Sequence, residues 1–146
     1  MVLSKKILIL EDGLKTLSKI LEKLAVLEHD QPYDFCLVIL TDYTQVQDYI
    51  NSNSKAEFDI ILLDRDCKLS GSFHVLDLEK FGADKVISIS SVPKYNLEAK
   101  QRGVKTTIVK DFKDIDKFAD EVVREIESRI TPSNLKRIAK MFGLAS

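Results

Sequence analysis

With 146 residues, 22 Lys and Arg against 23 Asp and Glu, and a formal net charge of -1, the chain has one domain's worth of sequence and no electrostatic preference for a polyanion. That excludes a general binder of nucleic-acid backbone or of an anionic membrane surface. Hydrophobic residues make up 45%, and a chain of this length buries about 68–70% of its unfolded surface on folding, which excludes disorder as the main state.

The longest uninterrupted apolar run, Phe35-Cys-Leu-Val-Ile-Leu40, is far below the ~20 residues of a membrane span. The opening Met1-Val-Leu-Ser-Lys-Lys6 has no secretory apolar core, so a soluble cytoplasmic protein is expected. Cys36 and Cys67 form no CxxC pair and are expected as buried structural thiols. His29 and His74 stand alone, which sets zinc chemistry aside.

The first predicted strand is Lys5-Lys-Ile-Leu-Ile-Leu10, broken at once by Glu11-Asp12-Gly13. Leu14, Leu17, Leu21 and Leu24 then recur at helical spacing, widened by Ile20 and Leu27 into a core-facing stripe. The run from Phe35 to Leu40 predicts a second strand, followed by a polar helical stretch over about residues 44–50. Three further runs follow: Phe58-Asp-Ile-Ile-Leu-Leu63 stops at Asp64, Lys85-Val-Ile-Ser-Ile89 at Ser90-Ser91, and Thr106-Thr-Ile-Val109 at Lys110. Each is continuous rather than alternating, as a parallel sheet covered on both faces requires. The last long helix presents Ile115, Phe118, Ala119, Val122, Val123, Ile126 and Ile130 on one face, with Asp114 as its cap. Pro132 stops it, and Ser133 is placed to start a short terminal helix running to about Phe142 or Gly143. Residues 131–146 carry Lys136, Arg137 and Lys140, +3 with no acid, which leaves -4 on residues 1–130.

In an open parallel α/β sheet, ligands bind beyond the carboxyl ends of the strands, so the residues that end each run carry the functional expectation. Here they are Glu11 with Asp12, Asp42, Asp64 with Asp66, Ser90, and Lys110. Clustered carboxylates in one crevice require a cation, and oxygen donors suit a hard divalent ion such as Mg²⁺. With a spare carboxylate, a hydroxyl and an ammonium, such a site is suited to accept a phosphoryl group. Asp64 is the expected nucleophile, Glu11 and Asp12 hold the metal, Lys110 neutralises phosphoryl charge, and Ser90 donates a hydrogen bond to a phosphoryl oxygen. Asp42 and Asp111 read as solvated loop acids.

Four segments, Ile7-Leu-Ile-Leu-Glu-Asp12, Asp59-Ile-Ile-Leu-Leu-Asp64, Val86-Ile-Ser-Ile-Ser90 and Ile108-Val-Lys110, resemble in order and spacing the signature segments of bacterial response-regulator receiver domains. The resemblance covers about residues 5–130. It implies a (βα)5 doubly wound, flavodoxin-like parallel sheet of strand order 2-1-3-4-5, Mg²⁺ dependence, and phosphotransfer onto Asp64 from a sensor histidine kinase or phosphotransfer protein. It also implies that the backbone carbonyl of Asp66 completes the metal shell. Output is expected by protein contact through residues 93–130, to a downstream target or in a homodimer. Residues 1–130 then form the receiver and 131–146 a short helical tail with no room for an output domain. Such a chain is not an enzyme beyond its own phosphorylation and dephosphorylation.

The chain also departs from the family pattern. Asp111 stands where receivers usually carry Pro after the last lysine, and Thr107 where they carry an aromatic switch residue. Cys67-Lys68 replaces an apolar-Pro pair, Gly71 falls one residue early, and Gly13 follows the acidic pair. These departures leave open a degenerate receiver that binds partners without taking up phosphate. Asp64-Arg-Asp66 also resembles the DxD nucleophile motif of haloacid-dehalogenase phosphohydrolases, although that family places its nucleophile after the first strand.

Overall fold

The computed structural model describes residues 3–29, 33–68, 70–131 and 141–143. Five strands, β1 (Leu3–Leu10), β2 (Tyr33–Leu40), β3 (Ile60–Asp64), β4 (Val86–Ser90) and β5 (Thr106–Val109), pair in parallel in the order 2-1-3-4-5. Between them lie α1 (Leu14–His29), α2 (Thr44–Val46), α3 (Leu78–Phe81) and α4 (Pro93–Gln101), and α5 (Ile115–Ile130) closes the domain. This is the doubly wound α/β sheet expected.

Side chains alternate across the strands, so each strand feeds two cores. Ile7, Ile9, Ile60, Leu62, Ile87 and Ile89 meet Leu17, Ile20 and Leu24 of α1 and the whole apolar stripe of α5. Leu8, Leu10, Ile61, Leu63 and Val86 face the opposite way, against Val46, Phe73, Leu78, Phe81 and Ala99. Central strands are therefore mostly apolar on both faces, and Ser88 of β4 is tolerated there because its hydroxyl donates to Asn96. At the start of α5, Asp114 accepts a hydrogen bond from the Lys117 amide, satisfying one of the free N–H groups of the first turn.

Expectation and structure part at β2, at the two cysteines and at Leu14. β2 is an edge strand covered on one face: Phe35, Leu37 and Ile39 pack toward α1 and α5, but Cys36 is exposed and Val38 is 40% exposed. Opposite that outer face, α2 is three residues long and passes into a π-helical turn, Gln47–Asn51, leaving a groove of about 260 Å³ lined in part by Cys36, Val38, Tyr49 and Phe58. Continuous apolarity thus does not place β2 in the sheet's interior, and Cys36 is not a buried thiol. Cys67 is half-buried, with burial first and neighbouring acids second pushing its thiol up to about 12, where it is unreactive. Leu14 opens α1 and is exposed rather than part of its stripe. The proposed terminal helix lies outside the described residues except for 141–143, where Met141 and Phe142 are exposed.

Among the described residues, no helix is long and apolar enough to cross a membrane.

Candidate functional site

The parallel register brings the carboxyl ends of β1, β3, β4 and β5 to one edge, and the residue after or at each end points into the same crevice. Glu11 and Asp12 follow β1, Asp64 ends β3, Ser90 ends β4 and Lys110 follows β5. All five are buried, Glu11 to 1% exposure. Charged side chains are almost never this buried unless paired, so their company is the informative feature.

Lys110 is the pairing cation. Its Nζ lies 2.6 Å from a Glu11 carboxylate oxygen and 3.2 Å from Asp64 Oδ2. Burial alone lowers an ammonium's pKa, but Glu11 and Asp64 outweigh it and hold Lys110 above its usual value, fully charged. One cation between two carboxylates leaves the other anion undercompensated. Asp64 bears that imbalance: burial first, then repulsion from Glu11, push its carboxyl up to about 7 against the opposing pull of Lys110.

The acidic pair is positioned by main chain. Glu11 Oε1 accepts from the Gly13 amide at 2.8 Å, and a Cβ at Gly13 would lie 2.9 Å from that oxygen. Glycine at 13, which in the sequence stands only as a departure after the acidic pair, is what lets the Glu11 carboxylate fold back. Asp12 Oδ2 accepts from the Lys68 amide at 2.6 Å, tying β1's end to the loop after β3. Glu11, Asp12 and Asp64 each offer a carboxylate oxygen within 4.8 Å of the others. This all-oxygen, anionic donor set fits a hard divalent cation.

Ser90 Oγ accepts from the Val92 amide at 3.0 Å, which leaves its hydroxyl hydrogen for another acceptor, and its carbonyl accepts from the Lys110 amide. Asp66 turns its carboxylate outward to Arg65, and a bridge to Ser72 holds its main chain near the site. Asp42 and Asp111 lie outside the cluster and accept from the amides of Thr44 and Lys113 in local turns.

The loop after Asp64 depends on a glycine that spacing alone did not explain. A Cβ at Gly71 would overlap the Tyr43 ring, and the Gly71 carbonyl accepts from the Cys67 amide. Gly71→Ala is expected to lower stability by about 1–3 kcal/mol through overpacking, measured by urea unfolding, and to weaken divalent-ion binding because the same loop holds Asp12.

No family model matches the chain, and no curated protein matches it in sequence. Solved structures do match it. The phosphorylated cyanobacterial phytochrome response regulator RcpA superposes with a TM-score of 0.66 at 20% identity, over 87% of this chain and 94% of that one. The fold is that of a response-regulator receiver domain. The Mn²⁺-bound form of response regulator Rcp1 gives a TM-score of 0.63 at 19% identity, covering 81% of this chain and 91% of that one. A response-regulator receiver domain from Rhodospirillum rubrum gives 0.61 at 16% identity, covering 80% and 89%. On the receiver fold, the loops beyond β1, β3 and β5 are where this chain gathers its buried carboxylates and its ammonium.

Two features of this site were not legible in its motifs. Arg65, next to Asp64 in the chain, reaches α4, pairing with Glu98 and lying over the Tyr95 ring. The Lys68 amide holds Asp12 through its main chain, a role no side-chain pattern signals.

Proposed function

We propose that this chain is a receiver that takes a phosphoryl group onto Asp64 from a sensor histidine kinase or phosphotransfer protein in a Mg²⁺-dependent reaction. It acts in the cytoplasm and signals by protein contact through residues 93–130, to a downstream target or to a second copy, without acting on a separate substrate. The observation that carries this reading is the buried cluster of Glu11, Asp12 and Asp64, with Lys110 paired to Glu11 and Asp64, at the crevice a doubly wound sheet reserves for ligands.

In the transfer, an Asp64 carboxylate oxygen attacks phosphorus, the bond from phosphorus to the donor's imidazole nitrogen breaks, and the nitrogen takes up a proton. Glu11, Asp12, Asp64 and the Asp66 backbone carbonyl are the residues that would hold Mg²⁺, which supplies positive charge to the transferring oxygens when bound. Lys110 supplies a second positive charge from a fixed position, and positioned charge is most of what phosphoryl transfer asks of a protein. The Ser90 hydroxyl is available to donate to a phosphoryl oxygen. Asp64 needs to be ionised to attack, and a cation beside it counters the burial that favours its protonated form.

The test is incubation with a small acyl phosphate and Mg²⁺, followed by intact-mass analysis. A single added phosphoryl group that is absent in Asp64→Asn is the expected result. A folded protein that takes up none at saturating Mg²⁺ would instead be a receiver-shaped interaction module, and rapid turnover of a phosphomonoester would identify a phosphohydrolase.

A further inference from the structure

The receiver family's usual relay runs from a strand-four hydroxyl to an aromatic on strand five, but this chain has Thr107 at the aromatic's place. A different ring stands close to the site's loop. Tyr95 lies on α4, and the Arg65 guanidinium carbon sits 3.8 Å from its ring centroid. The same guanidinium donates through Nε to Glu98 at 3.2 Å and through Nη1 to Asp66 at 3.1 Å. One side chain therefore touches both the loop after Asp64 and two positions on α4.

The rest of α4 is held in ways that make this contact directional. Its inner face is pinned by the buried Asn96, which accepts from Ser88 Oγ at 2.9 Å within the core and donates to the Ile108 carbonyl at 3.2 Å. Its far end is tied by Arg102, which donates to the carbonyls of His74 and Leu76 in the segment that continues the same loop. Between these anchors, Leu97 is 55% exposed on the outer face. The loop after β3 thus grips α4 at two guanidinium contacts, and Arg65 is the one bonded directly to the phosphoacceptor.

We propose that Arg65 transmits the state of the Asp64 site to α4, replacing the missing β5 aromatic as the link between phosphorylation and the output surface. This rests on the reading of Asp64 as phosphoacceptor. Arg65 is a positioning residue: it touches no reacting atom, and its planar group is matched to stack on Tyr95 while pairing with Glu98 and Asp66. A rearrangement of the Asp64–Asp66 main chain alters where that group sits, and the equilibrium position of α4 shifts with it.

The experiment is amide NMR of the full chain with and without Mg²⁺ and beryllofluoride, a stand-in for the acyl phosphate. In wild type, shifts are expected both at residues 64–68 and at 95–98. In Arg65→Ala, those at 64–68 should persist while those at 95–98 fall by about fivefold or more. Arg65→Lys should be intermediate, because it keeps the charge and loses the planar stack; it also serves if the alanine variant is poorly folded. Undiminished α4 shifts in a folded Arg65→Ala, or a wild-type response confined to 64–68, would overturn the coupling alone. No response anywhere in wild type would overturn the phosphoryl-site reading and the coupling with it.

Discussion

Replacing Lys110 with Met should destabilise the metal-free protein by about 3–5 kcal/mol, because it removes the cation from two carboxylates that remain buried. Met keeps the apolar length of the side chain, so the loss reports charge rather than a cavity. The pair's own worth is smaller than this figure, since much of the cost is the unpaired anion left behind. Adding Glu11→Gln to Lys110→Met should therefore recover a substantial part of the loss. Guanidinium unfolding of the three proteins in chelator measures both values; a single variant as stable as wild type would mean that Glu11 and Asp64 do not depend on Lys110. Saturating Mg²⁺ should also narrow the gap, because a bound cation takes over the neutralising role.

Asp64→Asn should act in the opposite direction. The Asp64 carboxyl is displaced upward to about 7 by burial and by Glu11, so the folded state holds a proton there that the unfolded state has released. Between about pH 4 and pH 7 the folded state binds more protons at this group, and its contribution to stability falls as pH rises. By about pH 8, above the folded-state value, nearly the full penalty is present, and removing it should stabilise the metal-free protein by roughly 2–4 kcal/mol. His74 works the other way over an overlapping range. Burial first, then Arg102 and Arg65, lower its imidazole to about 4, so it is held neutral while the unfolded chain protonates near 6.5, and its contribution rises with pH across that interval.

The two slopes oppose each other in wild type and separate in the variant. In chelator, Asp64→Asn should gain stability from about pH 4 to 6.5 and then level off, whereas wild type should weaken toward pH 8. Unfolding midpoints at pH 5 and pH 8 give the comparison. Equal stability of the two proteins at pH 8 would mean that Asp64 is fully ionised in the fold at no cost, contrary to its 5% exposure.

The legible parts of this chain are those whose cause is local. The α5 stripe and its Asp114 cap were readable because a 3.6-residue period and an N-terminal hydrogen bond are set within a few residues of each other. The central strands were readable because burial on both faces demands near-continuous apolar runs. β2 shows the limit of that signal: its run is as apolar as the others, yet only its place at the sheet edge, beside a short α2, exposes Cys36 and Val38. Gly13 and Gly71 were visible as departures, but their reasons, the folded-back Glu11 carboxylate and the Tyr43 ring, are contacts made in three dimensions.

By itself the sequence determined which residue types end each strand, and with them the chemistry available to the site: three carboxylates, a hydroxyl and an ammonium. Only the tertiary structure decided their partnership. Glu11 and Lys110, 99 residues apart, come within 2.6 Å because parallel strands in the order 2-1-3-4-5 align their carboxyl ends. The same closure strips water from the crevice, and that desolvation sets the Lys110 clamp and the displaced Asp64 proton. A net charge of -1 excluded a polyanion partner. The fold showed where negative charge is concentrated against that near-neutral average, in a buried pocket with one cation already in place.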